Sequence, residues 1–392
     1  MKILLASNSY PTPDNPLQAF IGVLARELVR QGHEVTVIAP VMVLSCMRHG
    51  TRLDKKYYYD EFEHEGRRLR VEVYRPRIYA PGEGRFLKMA SRVCQNRISA
   101  AALRIGKRFD VAYCHFWSSA IHLKDYVEKT GIPLIVACGE DKINIQYLRS
   151  EKNIKDLNQL TCGVICVSSK NKEESIAAGL TTPVKCIVLP NAVDAGEFKQ
   201  MDRKSVRDEL GFPQDAFIVA FLGRFYERKG PERVSEAIKR CNDSYIKAVY
   251  VGKKAPGDTF QPLGNEALFF GALAHGDVVK YLNSADVFVL PSLAEGCSNA
   301  IVEAMACGLP IISSDLPFNY DILNSNNSIM VDPMDVDAIS NAIKQLKHDE
   351  HLREKLSEGA LLMAKELTIE KRAAKIASFI ENKIRENGTI KE

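Results

Sequence analysis

The chain has 392 residues, of which 46% are hydrophobic and 26% charged, and its formal net charge is +4. On a loose prior of about 150 residues per domain, this length suggests two or three domains with large cores. No apolar run reaches the roughly 18 residues that mark a transmembrane helix, and the apolar start at 3–6 favours a buried strand over a signal peptide. Ten cysteines without CxxC spacing indicate no zinc or redox site and favour a cytoplasmic protein with reduced thiols.

The charge is unevenly distributed. Residues 66–108 carry about +10 and the rest of the chain about −6. Such a segment attracts an anionic membrane surface or a lipid diphosphate, although a solvated helix face explains it equally well. No recognition motif accompanies the charge, so nucleic acid is not an expected partner. The basic residues are Arg67, Arg68, Arg70, Arg75, Arg77, Arg85, Lys88, Arg92, Arg97, Arg104, Lys107 and Arg108.

The first half alternates apolar strands with amphipathic helices, which predicts a doubly wound α/β domain without the GxGxxG dinucleotide fingerprint. Residues 57–59 and 71–74 are harder to place and are expected to form short strands or a lid. The remaining predicted strands are 3–6, 35–39, 111–114, 133–137, 164–167 and 185–189, and the predicted helices are 20–30, 119–129 and 171–178.

The periodicity breaks at Pro190 to Asp194, where we place a domain boundary. A second α/β set follows and ends in three helices. Its predicted strands are 218–222, 248–251, 268–270, 287–290 and one beginning at 311, and its predicted helices are 232–240, 277–282, 298–307, 336–347, 352–367 and 371–384.

Two loops of this second set carry candidate chemistry. Gly223, Arg224 and Lys229 follow one strand, and a cation pair beside a glycine suits a diphosphate. The other loop leads into a helix whose start Ser298 can cap, and helix N-termini favour anions. If both loops face one crevice, they form a diphosphate site; taken alone, the spacing of the two cations is better explained as surface charge.

Glu295 and Glu303 are separated by seven residues around that helix start. A carboxylate beside a phosphate is disfavoured unless it meets hydroxyl donors, which ribose and a sugar supply. Glu303 is therefore a candidate for ribose and Glu295 for a sugar. The alternative is a loop acid and an exposed helix acid without a ligand.

Together these motifs closely resemble glycosyltransferase family 4, whose members are retaining enzymes with the GT-B fold. The resemblance rests on GRFYERKG at 223–230, PSLAEGCSNA at 291–300 and EAMACGLP at 303–310. GHEVTV at 32–37 and PNAVD at 190–194 are similar to further motifs of that family. The resemblance spans nearly the whole chain, and it is strong over 160–345 and weak over 40–110.

The resemblance implies two Rossmann-like domains that face a cleft. It assigns residues 1–189 plus 368–392 to an acceptor-binding domain and 190–367 to a nucleotide-sugar-binding domain. Arg224, Lys229 and Glu295 would be catalytic, through the diphosphate and the sugar. The other residues implied in nucleotide-sugar binding are Gly223, Gly296, Cys297, Ser298, Asn299 and Glu303.

The implied reaction is front-face displacement with retention, in which stabilising the departing diphosphate is the main task. No Asp-x-Asp motif accompanies the site, so no metal and no cofactor beyond the donor nucleotide sugar is expected. UDP is favoured over GDP on frequency alone. The expected acceptor is a glycan or a lipid-linked hydroxyl in cell-surface polysaccharide synthesis, and the enzyme is expected in the cytoplasm, peripheral at the inner membrane face.

This chain departs from the family pattern in its first half. Cys138 stands where members often have a histidine, so Gly139 and Glu140 are the remaining candidates for a sugar contact from that loop. His115 is a candidate acceptor-side residue, with a satisfied crevice histidine as the alternative. A non-hydrolysing sugar-nucleotide epimerase and a non-catalytic nucleotide-sugar-binding protein are the competing functions.

Overall fold

The computed structural model describes residues 1–12, 18–48, 50, 53, 55–80, 87–143, 145–148, 150–254 and 257–389. The chain forms two compact units, Met1–Leu189 with Ile369–Glu392 and Pro190–Thr368. These limits lie within one residue of those expected from the sequence. None of the helices in the described ranges has the length and apolar character that crossing a membrane requires.

The first unit is built on an eight-stranded sheet with the order β10-β9-β8-β7-β1-β2-β5-β4. Neighbours are parallel except for the antiparallel pair β4 and β5. Strand order reverses around β1, and such a point in an open parallel sheet is where ligands bind. The eight strands are β1 (Lys2–Ala6), β2 (Glu34–Ile38), β4 (Tyr57–His64), β5 (Arg67–Tyr74), β7 (Val111–His115), β8 (Leu134–Cys138), β9 (Thr161–Cys166) and β10 (Cys186–Val188). Two further short strands, β3 (Val41–Met42) and β6 (Arg77–Ile78), pair with each other in a separate two-stranded sheet.

Helices cover this sheet, and β7 and β8 are buried along their whole length. That burial explains why these strands appear in the sequence as continuous apolar runs. The helices are α1 (Ala19–Arg30), α2 (Val43–Arg48), α3 (Leu87–Ile105), α4 (Trp117–Thr130), α5 (Glu151–Leu160) and α6 (Ser169–Ala177).

The second unit contains a six-stranded parallel sheet with the order β13-β12-β11-β14-β15-β16. Its strands are β11 (Phe217–Leu222), β12 (Ile246–Val251), β13 (Ala267–Gly271), β14 (Val287–Leu290), β15 (Ile311–Ser314) and β16 (Ser328–Val331). Its helices are α7 (Arg203–Leu210), α8 (Pro231–Cys241), α9 (His275–Asn283), α10 (Asn299–Ala306), α11 (Val336–His348) and α12 (Glu350–Glu366).

The last helix, α13 (Ile369–Thr389), belongs to the first unit, where it contacts α1 and β9. Ile376 and Ile380 are fully buried, and the Phe379 ring leaves no room for a side chain at Gly163. The Arg372 guanidinium donates to the carbonyl of Leu189, so α13 also holds the end of the chain segment that leaves this unit.

The expectation of short strands or a lid at 57–59 and 71–74 is confirmed as to strands, but both segments belong to one long hairpin of β4 and β5, and neither forms a lid. Glu61 and Glu63 lie directly opposite Arg70 and Arg68, and Arg68 forms an ion pair with Glu61. The alternation of half-buried and exposed residues with charges on the exposed face obscured the hairpin in the sequence.

The hairpin also changes the interpretation of the basic segment. Acids of β4 lie just outside the stretch 66–108 and neutralise part of its charge across the strands. Lys107 pairs with Glu72, and Arg75 is buried, donating to the carbonyl of Tyr10. The segment is therefore not one basic surface, and its exposed cations concentrate on α3. Glu83 and Arg85 lie outside the described residues.

The ends of β11 and β12 approach each other so closely that only glycine fits at 252. A Cβ atom there would come within 1.8 Å of the carbonyl oxygen of Gly223. The amide of Gly223 donates a hydrogen bond to the carbonyl of Val251. This close approach determines the path of the backbone as it leaves β11 and enters the loop that carries Arg224.

Candidate functional site

The two predicted loops lie side by side in the second unit. They follow β11 and β14, which are parallel neighbours, so both loops begin at the carboxyl edge of the sheet. The Leu293 amide donates to the carbonyl of Arg228 at 2.8 Å. The Arg228 guanidinium donates in turn to the carbonyl of Ala294 and to the hydroxyl of Tyr226. Arg228, which the sequence analysis did not select, thus fastens one loop to the other.

Lys229 and Glu295 meet across the two loops as an ion pair. The Lys229 side chain is 15% exposed and that of Glu295 6%, so water screens the pair only weakly. Removing either partner would leave a shielded charge without its counter-charge, which is costly in proteins. The structure therefore brings together the predicted cation and the predicted acid. In this arrangement the ammonium and the carboxylate neutralise each other.

Arg224, the second predicted cation, is exposed at the start of the same loop. Within the described part of the chain its guanidinium takes part in no hydrogen bond or ion pair. The amide of the preceding Gly223 donates a hydrogen bond to the carbonyl of Val251. One loop thus presents a guanidinium that is available to a ligand and an ammonium that must first leave a carboxylate.

Ser298 occupies the N-cap position of α10, but the predicted cap is wrong, because its side chain makes no capping hydrogen bond. Its hydroxyl oxygen is buried and has no hydrogen-bond partner among the described residues, and the same holds for Ser292. The first-turn amides of α10, beginning at Asn299, therefore lack a side-chain acceptor from Ser298. Such a helix start retains donors and a positive dipole end for an anion.

The backbone of the loop is fixed from the domain boundary. The Asn191 side chain donates to the carbonyl of Cys297 at 2.9 Å, next to Gly296. Cys297 itself is 8% exposed. Asn191 was identified only as part of the motif that breaks the periodicity, because a contact over more than a hundred residues leaves no local signal.

Glu303 lies one turn into α10 and is half-buried. Burial raises its pKa from 4.5 to about 7, and the nearby carboxylate of Glu197 contributes in the same direction. Glu197 is 3.6 Å from the Nε2 atom of His275, whose ring packs against Phe198. Near neutral pH, Glu303 can thus both donate and accept hydrogen bonds, as contact with a diol requires.

His115, Gly139 and Glu140 come together at the carboxyl edge of the first unit's sheet, since β7 and β8 are neighbours. The Glu140 carboxylate accepts hydrogen bonds from the amides of Gly139 and Trp117, the latter in the first turn of α4. Burial raises the pKa of Glu140. Glu140 therefore serves the start of α4, and its proposed sugar contact stays a prediction.

His115 is buried against the rings of Phe20 and Phe116. Burial lowers the pKa of His115 to about 3, helped by the positive charge of Arg372, so the imidazole is neutral at physiological pH. Its Nδ1 atom has no hydrogen-bond partner among the described residues. A neutral ring of this kind can offer or accept one hydrogen bond without carrying charge.

Cys138, which stands where a histidine was expected, is fully buried, and its sulfur accepts a hydrogen bond from Ser175. No cluster of three or more His, Cys, Asp or Glu side chains suited to a metal ion occurs in the described residues.

Two family profiles match the chain. Glycosyltransferase Family 4 matches residues 18–197 and Glycosyl transferases group 1 matches residues 202–363. Among curated relatives, TuaC of Bacillus subtilis, assigned to teichuronic acid biosynthesis, is 28% identical over 89% of this chain and 90% of its own. An Escherichia coli enzyme, UDP-Gal:alpha-D-GlcNAc-diphosphoundecaprenol alpha-1,3-galactosyltransferase, is 31% identical over 49% of this chain and 53% of its own.

Solved structures share the whole fold. Sucrose-phosphate synthase from Thermosynechococcus elongatus superposes with a TM-score of 0.75 at 18% identity, over 97% of this chain and 98% of its own. HepE from Anabaena, solved in complex with UDP, gives a TM-score of 0.74 at 18% identity, over 97% of this chain and 100% of its own.

The two Rossmann-like units have the GT-B fold, and the two matching profiles make the chain a glycosyltransferase. Within that class, the chain belongs to glycosyltransferase family 4. The family, the fold class and the enzyme class predicted from the sequence are thereby confirmed.

Replacing Glu303 by glutamine should change the pH dependence of stability. Because its pKa in the folded protein lies above the ordinary 4.5, the folded state binds this proton more tightly than the unfolded chain, and stability falls as pH rises from 4.5 to about 7. Glu303→Gln should therefore gain on the order of 1 kcal/mol over wild type at pH 8 and little at pH 4. Urea unfolding at both pH values measures this difference.

The matched control is Glu354→Gln, which removes an exposed acid from α12 and should change stability little at either pH. Equal gains for Glu303→Gln at pH 4 and pH 8 would show that the buried carboxyl is not the titrating group.

Proposed function

We propose that the second unit binds a nucleoside diphosphate sugar and that the enzyme transfers the sugar with retention to an acceptor hydroxyl. Arg224 and Lys229 would neutralise the diphosphate, Glu303 would bind ribose and Glu295 the sugar. The observation that carries this proposal is the contact of Lys229 with Glu295 across the two loops. It brings a phosphate-binding cation and a hydroxyl-binding acid to one place beside the uncapped start of α10.

The chemistry follows from where charge develops. The bond between the anomeric carbon and the diphosphate oxygen breaks, and the acceptor oxygen bonds to the same face of that carbon. The acceptor proton passes to the departing phosphate oxygen. The growing negative charge on that oxygen would be stabilised by Arg224, Lys229 and the first-turn amides of α10, all oriented before the reaction. No metal is needed in this scheme.

Donor binding would rearrange the ion pair. A diphosphate carries more charge than one carboxylate and can draw the Lys229 ammonium away from Glu295. The freed carboxylate would then accept hydrogen bonds from sugar hydroxyls. The energetic cost of separating the pair is offset only when both halves of the donor are present, so a complete nucleotide sugar is favoured over a free nucleoside diphosphate.

We further propose UDP as the nucleotide and a glycan or lipid-linked acceptor in cell-surface polysaccharide synthesis. Support comes from the UDP complex of HepE and from the names of two relatives, which refer to UDP-Gal with a diphosphoundecaprenol-linked sugar and to teichuronic acid. The acceptor would bind at the sheet edge of the first unit formed by His115, Gly139 and Glu140, where the neutral imidazole can exchange one hydrogen bond with a hydroxyl.

The competing functions predict different products. A non-hydrolysing epimerase would convert the nucleotide sugar to its C2 epimer without an acceptor. A non-catalytic binding protein would take up the nucleotide sugar and release it unchanged.

Purified protein should release UDP slowly from UDP-hexoses in the presence of EDTA, and faster when lipid-linked glycan acceptors are added. The new glycosidic bond should keep the anomeric configuration of the donor, which NMR of the product shows. Formation of a C2 epimer, or binding without any release, would replace the transferase with one of the alternatives; a requirement for divalent cations would refute metal independence.

Binding of UDP separates the roles of the paired residues. Lys229→Met and Arg224→Met should each raise the Kd for UDP about tenfold, the loss of roughly one charged hydrogen bond. Glu295→Gln should lower that Kd about threefold because it frees Lys229, while transfer is lost. Isothermal titration calorimetry measures these values.

Lys239→Met, which removes an exposed cation from α8, is the control and should leave UDP binding unchanged. Weaker UDP binding by Glu295→Gln would mean that Glu295 orients Lys229 for the phosphate instead of competing for it.

We also propose that exposed cations of the first unit meet an anionic membrane surface. The hairpin charges are largely neutralised, which leaves Lys88, Arg92, Arg97 and Arg104 on α3 and the nearby Arg108. Arg97→Glu/Arg104→Glu should reduce co-sedimentation with phosphatidylglycerol vesicles severalfold.

In that vesicle assay the hairpin variant Arg67→Glu/Arg68→Glu, with the same change in net charge, should have the smaller effect. If the two double variants lose binding equally, total charge and not this helix governs the association.

A further inference from the structure

A cavity of about 680 Å³ opens on the flank of the first unit, between α3, α4 and the start of α5. His115, Gly139 and Glu140 are not among the described residues that line it. The donor-binding residues belong to the second unit. The cavity is therefore separate from every site discussed so far, and its volume is that of pockets that hold small molecules.

Two cations of α3 form one wall. Lys88 and Arg92 are one helical turn apart, and both are exposed. Within the described ranges neither side chain makes a hydrogen bond or an ion pair. Like charges four residues apart destabilise a helix by a few tenths of a kcal/mol, and α3 has no acidic residue along its 19 residues to compensate. The pair would be relieved by an anion that both cations contact.

The other lining residues are nearly neutral and, apart from Met89, polar. Asp125 of α4 is the one carboxylate among the described lining residues, and it accepts a hydrogen bond from the amide of Gln95. Asn96 lies one turn beyond Arg92. Ser150 caps α5 by accepting from the amide of Asn153, so the positive end of that helix borders the cavity.

The lining thus combines two unpartnered cations with amide and hydroxyl groups and contains no aromatic ring among the residues described. Cations that meet anionic oxygens and amides that meet hydroxyls are the groups by which proteins hold acidic sugars. A nucleotide base would find no ring to stack on. A single inorganic anion would leave most of the volume empty.

We propose that this cavity is a second carbohydrate site that binds an acidic saccharide, a sugar unit carrying a phosphate or carboxylate group. Lys88 and Arg92 contact the anionic oxygens, and Asn96, Gln95 and Ser150 contact the hydroxyls. Since the site is distinct from the donor loops, it would hold a growing or finished acidic glycan on the first unit while the second unit exchanges its nucleotide.

Saturation-transfer NMR on the full chain, with saturating UDP present to cover the donor loops, tests this directly. The probes are glucose 1-phosphate, glucuronate and neutral glucose. Both acidic sugars should bind in competition with each other, and glucose should not bind. Lys88→Gln/Arg92→Gln should raise the Kd for the acidic sugars at least tenfold, while Arg104→Gln, an exposed cation of the same helix outside the cavity, should change it less than twofold.

The relative affinities of glucose 1-phosphate and glucuronate identify whether phosphate or carboxylate is preferred. UDP binding measured on each variant should be unaffected, so a failure of the proposed transferase function appears separately from a failure at this cavity. Because both side chains are exposed, the double variant should fold; the single variants, each expected to weaken binding about threefold, give a second measurement.

Three outcomes would overturn the proposal. The first is that neither acidic sugar binds, and the second is that both sugars bind the double variant as tightly as the wild type. Alternatively, phosphatidylglycerol vesicles lose binding to Lys88→Gln/Arg92→Gln but not to Arg104→Gln while the sugars do not bind, in which case the cavity serves a lipid head group.

Discussion

The ion pair between Lys229 and Glu295 is the interaction on which the candidate site depends. It joins the loop after β11 to the loop after β14. Both side chains are largely buried, where an unpaired charge is strongly destabilising. The surrounding contacts make sense as its supports: Arg228 bonds one loop to the other, and Asn191 holds the carbonyl of Cys297. In the proposed function, donor binding would replace this ionic contact by one between Lys229 and the diphosphate.

The position of the site in the fold follows from the sheet. Gly252 allows β12 to approach the end of β11, and the parallel pairing of β11 with β14 places both loops at one edge. In the first unit, the parallel pairing of β7 with β8 likewise brings His115 and Glu140 to one edge of the sheet. In both units the arrangement follows from parallel strands that end at the same edge, with helices that start just beyond them.

Much of this was predictable, and the exceptions have physical causes. Buried parallel strands are continuous apolar runs, and helices alternate with them, so the doubly wound pattern emerges from periodicity alone. Lys229 and Glu295 were identified because the resemblance to glycosyltransferase family 4 includes both of their loops together, whereas neither spacing is specific alone. The β4 and β5 hairpin was missed because its exposed face carries charge. Arg228, Asn191 and Glu197 make contacts with residues distant in the sequence, which no local pattern reveals. The predicted cap at Ser298 is wrong because N-cap propensity does not determine where the serine hydroxyl points.

The bond from Asn191 to Cys297 ties the donor loop to the first residues of the second unit, one position after Pro190. Val193 is likewise bonded to Leu367 and bridged to Thr368, at the other end of that unit. The entry and exit segments of the second unit are thus joined to each other, and the entry segment is joined to the loop that carries Glu295. A protein truncated to start at residue 195 would lose the Asn191 contact with Cys297 and the Val193 contacts with Leu367 and Thr368, so a separate second unit has to include residues 190–194.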